Sequence, residues 1–313
     1  MQEGNTSKTL VDIPGVGPAI AEKLRECGYT NLISIAITSP KDLAEICEIG
    51  VMKASEIIEG AKLCVDIGGF EKSEGVNARI SGVKKLTTGS SELDKLLGGG
   101  LSSGSIVEIF GNDSSCITKF CHQLAVYATL SEKRGGFDSC VLFINSSETF
   151  RDKLVTTMAE RLGADPLETL EKILFKNTSN SNEQIFFAIK AKEFAKKNKV
   201  NLLIVDTLTF HFLNEFVVRG AQAEKQKLLN RFMQELKDFA LSNNAVVVVT
   251  NQANNDPNKP VGGRVVERFI DYRLFFIKGR GDERTIKLIT SPNLPEGKAT
   301  FLMSDSGISD RGK

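Results

Sequence analysis

The segment that decides the fold is residues 105–118, SIVEIFGNDSSCIT. Its apolar run, residues 106–110, has the β-branched and aromatic content of a buried strand, and Gly111 follows at once as a turn residue. A helical pattern continues through residues 119–130. The segment therefore predicts a strand, a turn and a helix, which is the arrangement of the phosphate loop G-x-x-x-x-G-K-[ST].

The centre of this loop departs from the phosphate-binding pattern. Gly111 and Thr118 keep the outer spacing, but Cys116 stands where the second glycine belongs and Ile117 stands where the lysine belongs. In the motif the glycines let backbone N–H groups approach the phosphates, the lysine neutralises them and the hydroxyl holds Mg²⁺. Lys119 could replace the missing charge only by reaching back across the first turn of the helix. On this motif alone, a chance strand–turn–helix is an alternative to a nucleotide site.

Composition excludes several classes of protein. The chain has 313 residues, of which 41% are hydrophobic and 25% charged, as in an ordinary globular protein. No apolar run approaches the ~20 residues of a membrane span, and the amino terminus shows no secretory pattern, so we expect a cytoplasmic protein. The six cysteines form no C-x-x-C pair, which argues against zinc and against a disulfide framework. A net charge of +1 means that any DNA binding must come from local features.

After the loop, apolar runs alternate with helical patterns. Such alternation is typical of a mostly parallel sheet covered by helices on both faces, the α/β class. The runs after the loop predict strands at residues 140–144, 173–175, 201–206 and 245–250, separated by helices at 149–162, 184–197 and 223–241. The carboxyl-terminal runs 272–277, 284–290 and 299–303 predict antiparallel strands.

Residues 8–64 predict a compact helical unit. The turn Ile13-Pro14-Gly15-Val16-Gly17-Pro18 precedes the first amphipathic segment, and two more helical segments, residues 39–50 and 51–64, follow. Glycines in such a turn allow backbone N–H groups to meet DNA phosphates, although the same turn could serve only for packing. Residues 66–82 carry four glycines, a composition that is typical of a linker. We therefore expect domains at 1–65 and 83–313, joined by 66–82.

Six further segments carry a resemblance to a known family: TTGSSELDKLLGGGL at 87–101, LLIVDTLT at 202–209, VRGAQAEKQ at 218–226, VVVVTNQ at 246–252, PVGGR at 260–264 and SPNLPEG at 291–297. Together and in this order they resemble the archaeal RadA recombinases of the RecA-like family. The resemblance implies a RecA-like core with a small all-α helix-hairpin-helix domain at the amino terminus. It also implies ATP-dependent assembly on single-stranded DNA, followed by strand exchange.

The resemblance assigns roles to particular residues. For ATP it implies Gly111, Ser115, Thr118, Arg151, Asp206 and Gln252, with Mg²⁺ held by Thr118 and Asp206. Asn251 and Gln252 match residues that link the γ-phosphate to the second DNA-binding loop. For DNA it implies backbone and basic groups at Gly15, Gly17, Arg219, Gly220, Gly262, Gly263 and Arg264.

Further departures from the family concern catalysis and assembly. Ser147 stands at the position of the catalytic glutamate, and neighbouring Glu148 should point elsewhere because successive side chains of an extended chain alternate. The second DNA loop is shorter than that of the family. Phe70 and Ser73, in FEKS, match the polymerisation motif F-x-x-A with serine in place of alanine.

Two hypotheses follow. The first is an active ATP-dependent recombinase. The second, which the changes at Ile117 and Ser147 favour, is a non-hydrolysing paralogue that binds DNA or a recombinase partner as a mediator or regulator. Losing a charged hydrogen bond of ~1.5–3 kcal/mol and a general base contributing ~10²–10⁴ in rate should leave little turnover. The expected partners are DNA, preferably single-stranded, and either a recombinase paralogue or a second copy of the chain.

Overall fold

The computed structural model describes residues 9–29, 31–64, 82–111, 114–217, 220–254, 256 and 259–311. The chain divides into two compact units, Met1–Ile80 and Ser81–Lys313. The predicted linker, residues 66–82, lies outside the described residues except for its last position.

The amino-terminal unit is a small helical bundle. A 3₁₀ turn, Leu10–Asp12, is followed by α1 (Pro18–Glu26), α2 (Leu32–Ala36), α3 (Pro40–Ile46) and α4 (Val51–Cys64). The helix starts follow from local chemistry, since Ser39 caps α3 through the N–H of Asp42 and a proline fills its first position. Apolar residues from all four helices form one core, including Leu24, Ile35, Leu43 and Ile57. The short α2 is the element that sequence periodicity did not predict.

The larger unit contains one nine-stranded sheet and a two-stranded ribbon. The ribbon pairs β1 (Lys85–Leu86) with β2 (Leu101–Ser102). The sheet strands are β3 (Ile106–Gly111), β4 (Cys140–Asn145), β5 (Ile173–Asn177), β6 (Val200–Asp206), β7 (Val246–Gln252), β8 (Tyr272–Lys278), β9 (Glu283–Thr290), β10 (Gly297–Ser304) and β11 (Gly307–Ser309).

Helices connect and cover these strands. They are α5 (Ser91–Leu96), α6 (Ser114–Thr129), α7 (Asp152–Arg161), α8 (Pro166–Glu171), α9 (Ser181–Ala195), α10 (Phe210–Glu215), α11 (Gln222–Ser242) and α12 (Gly263–Glu267).

The sheet has the order β11-β10-β9-β8-β3-β7-β6-β4-β5. Strands from β8 to β5 in this order run parallel, and β9, β10 and β11 continue the sheet antiparallel. The sequence therefore predicted the α/β class, the parallel core and the antiparallel carboxyl-terminal strands correctly. Because β3, β7, β6 and β4 are neighbours and parallel, their carboxyl ends meet at one edge, where ligands bind in open α/β sheets.

Side chains alternate across the sheet and build a core on each face. On one face, α6 and α7 pack against the layer containing Val107, Ile109 and Ile204. On the other face, α9 and α11 pack against the layer containing Ile106 and Val247. Both faces of the central strands are therefore dry, which explains why β3, β6 and β7 read as continuous apolar runs instead of alternating ones.

Gly111 ends β3 at a point of close backbone approach. A Cβ atom built on it would lie 2.4 Å from the carbonyl oxygen of Phe276 on the neighbouring strand β8. Any other residue here would force β3 and β8 apart, so this glycine is required by the sheet itself, independently of a nucleotide.

The structure differs from the sequence prediction in the start of one helix and in three short helices. The helix expected from residue 149 begins at Asp152, because residues 146–148 form bends and Arg151 is the N-cap. The short helices α8, α10 and α12 were not predicted, since they are too short to show a helical period.

The cysteines and the helices agree with an ordinary globular protein. All six cysteines are free thiols. Burial, reinforced by contact with Cys27, raises the pKa of Cys47 to about 12, so this thiol stays protonated. Within the described ranges, no helix combines the length and the apolar character that crossing a membrane requires.

Asp310 ties the carboxyl-terminal end to the start of α5. Its carboxylate accepts hydrogen bonds from the hydroxyl of Ser90 at 2.6 Å and from the N–H of Ser91 at 3.1 Å. Burial raises the pKa of Asp310, but these hydrogen bonds outweigh it and bring the pKa to about 2. Because this pKa is depressed, the stabilisation is present above the unfolded value of 3.8 and is lost as the pH falls towards 2.

We expect Asp310→Asn to lower the free energy of unfolding at pH 7 by ~1.5–3 kcal/mol, the usual contribution of hydrogen bonds to a charged group. The control is Asp305→Asn, which removes an exposed carboxylate paired with Lys119 and should cost less than ~1 kcal/mol. Urea unfolding of both variants measures the difference. Equal losses of unfolding free energy in the two variants would show that the hydrogen bonds of Asp310 to the start of α5 stabilise the protein no more than an exposed ion pair does.

Candidate nucleotide and DNA sites

The polar site at the carboxyl edge of the sheet centres on Asp206. This residue ends β6, is 2% exposed and accepts hydrogen bonds from three threonine hydroxyls. Thr118 and Thr149 donate to Oδ2 at 2.8 and 2.9 Å, and Thr250 donates to Oδ1 at 2.5 Å. The three threonines come from α6, from the turn after β4 and from β7. The parallel order of the strands thus brings together side chains that are far apart in the sequence.

The turn after β4 holds the position expected for a catalytic glutamate. Ser147 lies 3.4 Å from the hydroxyl of Thr149, and Asn145 accepts from the N–H of Thr149 at 3.1 Å. Glu148 is exposed, and its backbone is left-handed with φ 53°, so the expectation of an extended chain here was wrong. The serine hydroxyl has no proton affinity comparable to that of a carboxylate, and it cannot act as the general base.

A pocket of about 100 Å³ opens beside Asp206. Its wall includes Ile117, Thr118, Ser147, Thr250 and Gln252. Of the described residues that line it, none is cationic, and Asp206 is the one carboxylate. The pocket is smaller than the ~300–1,000 Å³ of most ligand sites, and its charge is unfavourable for a polyphosphate.

The substituted positions of the phosphate loop are built into the protein core. Ile117 is 2% exposed, and the thiol of buried Cys116 accepts a hydrogen bond from Nε of Arg284 at 3.1 Å. Lys119 pairs with Asp305 at 2.5 Å, so its ammonium is engaged on the other side of α6 and does not line the pocket. Ser115 lies in the first turn of α6. The charge that the lysine of the motif would bring is therefore not restored by its neighbour.

His122 joins α6 to the start of α7. Its Nε2 accepts from the backbone N–H of Arg151 at 2.9 Å, and its Nδ1 lies 2.7 Å from the carbonyl oxygen of Thr118. A backbone N–H can only donate and a carbonyl can only accept, so the ring is neutral with its proton on Nδ1. Burial lowers the pKa of His122, which favours the same neutral form. The exposed side chain of Arg151 folds back on the carbonyl oxygens of Glu148 and Phe150.

Asn251 connects the pocket to the loop of residues 253–262. Its carbonyl oxygen accepts from the hydroxyl of Thr209 at 2.7 Å, and its amide donates to the carbonyl oxygen of Val261 at 2.6 Å. Gln252, the next residue, is exposed at the mouth of the loop. The two residues line the pocket beside Asp206 and begin the loop of residues 253–262.

The residues expected to contact DNA are at the surface where the structure describes them. Gly15 is exposed with φ 81°, and exposed Gly17 is the N-cap of α1. In the larger unit, Gly220, Gly263 and Arg264 are exposed. Gly262, with φ 111°, is the N-cap of α12. Three further expectations, for Arg219, Phe70 and Ser73, lie outside the described residues.

A separate apolar groove of about 300 Å³ lies between α9 and the edge strand β5. Its walls include Leu142, Leu174, Phe175, Phe187 and Phe194. Leu174 and Phe175 are 39% and 52% exposed, and Lys176 and Lys190 lie at the sides of the groove. Sequence reasoning did not find it. Three phenylalanines in a helix and a strand look like core until the fold shows that β5 ends the sheet.

The site residues fit a magnesium ion better than they fit a triphosphate. The hydroxyl of Thr118 and the carboxylate of Asp206 are the oxygen ligands that Mg²⁺ prefers, and they are within hydrogen-bond distance of each other. The pocket wall, however, offers a triphosphate no balancing cation among the described residues. Sequence reasoning found Thr118 and Asp206 but missed Thr149 and Thr250. The position of Thr250 at the end of a buried strand was the available signal.

Fold and site together define the class. A mostly parallel sheet with a phosphate-loop-like sequence after β3 and an acidic residue ending β6 is the core of a RecA-like protein. The family model for Rad51 matches residues 79–311, and a model for the SAM-like tandem helix-hairpin-helix matches residues 7–63.

The relatives narrow the class further. The DNA repair and recombination protein RadA of Aeropyrum pernix is 36% identical over 310 residues, covering 97% of each chain. The protein of the same name from Methanocorpusculum labreanum is 38% identical over 325 residues, covering 97% of this chain and 99% of the relative. The chain belongs to the archaeal RadA family, as the sequence motifs indicated.

The neutral form of His122 makes stability depend on pH. Because its pKa is depressed in the folded state, its contribution is complete above the unfolded value of 6.5 and is lost as the pH falls from there through the folded pKa. We expect His122→Gln to show a flatter decline of unfolding free energy between pH 7.5 and 5.5 than the unchanged protein. Urea titrations at several pH values measure it, and parallel curves would contradict the assignment.

Proposed function

We propose that this protein is a DNA recombination and repair protein that binds DNA and a RadA-family partner without hydrolysing ATP. In this proposal residues 1–65 form a domain for DNA and partner contacts, and residues 83–313 form the RecA-like core. The observation that carries it is the pocket beside Asp206. Ile117 and Ser147 stand where a cation and a base are needed, and three threonine hydroxyls already satisfy the carboxylate.

Magnitudes support weak nucleotide binding and negligible turnover. A charged hydrogen bond to phosphate contributes ~1.5–3 kcal/mol, and burial of phosphate next to an unbalanced carboxylate adds repulsion. The absent general base removes a further factor of ~10²–10⁴ in rate. Thr118, Asp206, Asn251 and Gln252 remain in place, and they are the feature that favours the second candidate, an active ATP-dependent strand-exchange recombinase.

We expect the purified protein to hydrolyse ATP at background rate with and without single-stranded DNA. The triple variant Cys116→Gly/Ile117→Lys/Ser147→Glu restores the phosphate loop and the base and should raise nucleotide affinity, measured with a fluorescent ATP analogue. The comparison variant is Ile117→Met, which matches lysine in length without its charge and should leave affinity unchanged. DNA-stimulated hydrolysis abolished by Asp206→Ala would favour the recombinase.

DNA contact is proposed at the amino-terminal hairpin first and at the core loops second. Exposed Gly15 and Gly17 leave backbone N–H groups accessible at the start of α1, and Nζ of Lys53 lies beside the turn, 3.5 Å from the point a Cβ of Gly15 would occupy. Such contacts bind phosphates without reading sequence. With a net charge of +1, only a few phosphates are neutralised and the affinity should be modest.

We expect Lys53→Glu to weaken binding to single-stranded DNA several-fold and to reduce the salt slope by about one phosphate contact. Lys62→Glu is the matched control. Both lysines lie on α4 and pair with a glutamate three residues away, but Lys62 is nine residues further along the helix, ~13 Å from Lys53 along its axis. Arg264→Ala in the core loop should have the smaller effect. Fluorescence anisotropy at two salt concentrations measures all three.

If instead Arg264→Ala abolishes binding and Lys53→Glu leaves it intact, the core loops bind DNA as in a recombinase. That result would overturn the proposed order of DNA contacts and favour the recombinase. The result does not depend on base sequence, so one oligonucleotide of mixed composition suffices.

Partner binding is proposed to use Phe70 and the apolar groove as the two halves of one contact between RadA-family chains. A phenylalanine side chain fits an apolar space of about 300 Å³ between aromatic walls, and Glu71 next to it in the sequence complements Lys176 and Lys190 beside the groove. Ser73 in place of alanine puts a hydroxyl into an apolar contact, at a cost of ~1–3 kcal/mol. We therefore propose weak self-association and preference for a recombinase partner.

We expect Leu174→Arg, which places a charge in the groove, and Phe70→Ala, which removes ~1.5–3 kcal/mol of burial, each to weaken the complex with a RadA recombinase about tenfold or more. Leu167→Arg is the control, because Leu167 is 72% exposed on α8 and does not line the groove. Pull-down and light scattering report binding and self-association. No change from either variant would leave the groove and residue 70 without a role in assembly.

A further inference from the structure

A buried carboxylate under the 253–262 loop takes no part in the Asp206 site. Glu108 lies in the middle of β3 and is completely buried. Its Oε2 accepts from Nε of Arg273 on β8 at 2.7 Å, and its Oε1 accepts from the amide of Asn251 on β7 at 3.1 Å. Burial raises the pKa of Glu108, while Arg273 and Asn251 oppose that rise. Burying a charged side chain in a central strand costs desolvation free energy, so its presence indicates a role beyond stability.

The first stem of the loop, where residues 251 and 252 meet Val261, is held through Asn251. The amide of Asn251 bonds both to Glu108 and to the carbonyl oxygen of Val261, at the far end of the loop. The backbone closes the same stem, because the N–H of Val261 donates to the carbonyl oxygen of Gln252 at 3.0 Å. Fixing the amide of Asn251 on Glu108 therefore fixes the point where the loop begins and ends.

The second stem, helix α12 at the end of the loop, is held through Arg273. Its Nη1 lies 3.5 Å from the carboxylate of Glu267, at the end of α12, the helix that leads out of the loop. The side chain of Arg273 is 12% exposed, so its guanidinium works in a protected environment. One buried ion pair between neighbouring strands thus contacts the residue that enters the loop and the helix that leaves it.

We propose that Glu108 and Arg273 are positioning residues that hold both stems of the 253–262 loop in the geometry for binding single-stranded DNA. The inference rests on the proposed function in one respect, the use of this loop for DNA. The holding of the loop itself can be measured without DNA.

The test uses the full chain and a double-mutant cycle of Glu108→Leu, Arg273→Met and the two together. Each single change leaves a buried polar or charged partner unpaired and should lower the melting temperature. The double change replaces both charges by apolar groups of similar size and should restore most of the melting temperature. If the ion pair were only structural, the double variant would then match the unchanged protein in every other measured property.

Hydrogen exchange separates positioning from stability. In the double variant the backbone N–H groups that close the loop, those of Asn254 and Val261, should exchange about tenfold faster although the melting temperature has recovered. Exchange in α9, remote from the loop, serves as the internal reference. Affinity for single-stranded DNA, read by anisotropy, should fall as well, but by less than the several-fold loss expected for Lys53→Glu, because the loop is the second DNA contact.

Lys237→Met provides the matched control variant. Lys237 pairs with Asp271 at 2.8 Å, just before β8 begins, and its loss should change stability without changing exchange in the loop. If loop exchange in the double variant returns to the original rate together with the melting temperature, the pair is only structural and the proposal is overturned. If the loop loosens but DNA affinity is unchanged, the positioning of the loop stands, but its use for DNA, and with it our proposal, fails.

Discussion

A carboxylate buried in a protein must be paired with a cation or hydrogen-bonded, and the rest of this site depends on how Asp206 meets that requirement. Its oxygens accept from Thr118, Thr149 and Thr250, which belong to three different segments. These hydrogen bonds connect α6, the turn after β4 and strand β7 to the end of β6. The polar edge of the sheet is thereby held together by the protein itself.

The same arrangement determines which chemistry the pocket can support. In a phosphate site, a lysine ammonium balances the charges of both the phosphates and the acidic residue. Here Ile117 belongs to the apolar core and the thiol of Cys116 accepts a hydrogen bond from Arg284, so both substituted side chains are fixed by packing within the protein. A negative ligand entering this pocket meets Asp206 without compensation. Hydroxyl donors reduce that repulsion but do not remove it, because they carry no net charge.

The sequence predicted the fold well and the site in part. Buried parallel strands produce apolar runs that are visible without a structure, so β4, β6 and β7 were located to within one or two residues. Thr118 was predicted from the spacing of the phosphate loop, and Asp206 from the family resemblance and its place at the end of an apolar strand. Thr149, Thr250 and the pair of Glu108 with Arg273 could not be found in that way, since their roles arise from strand order, and Glu108 and Arg273 are 165 residues apart. The left-handed backbone at Glu148 likewise gives no signal in residue type.

The substituted positions and the residues that hold the 253–262 loop lie on different elements. Ile117 on α6 and Ser147 in the turn after β4 line the pocket beside Asp206, and Cys116 precedes Ile117 on α6. The loop of residues 253–262 is held from β3, β7 and β8 through Glu108, Asn251 and Arg273. Because the two groups lie on different elements, changes beside Asp206 need not disturb the stems of the loop. Under the proposed function, the stems of the loop are kept in place by residues other than those that have changed beside Asp206.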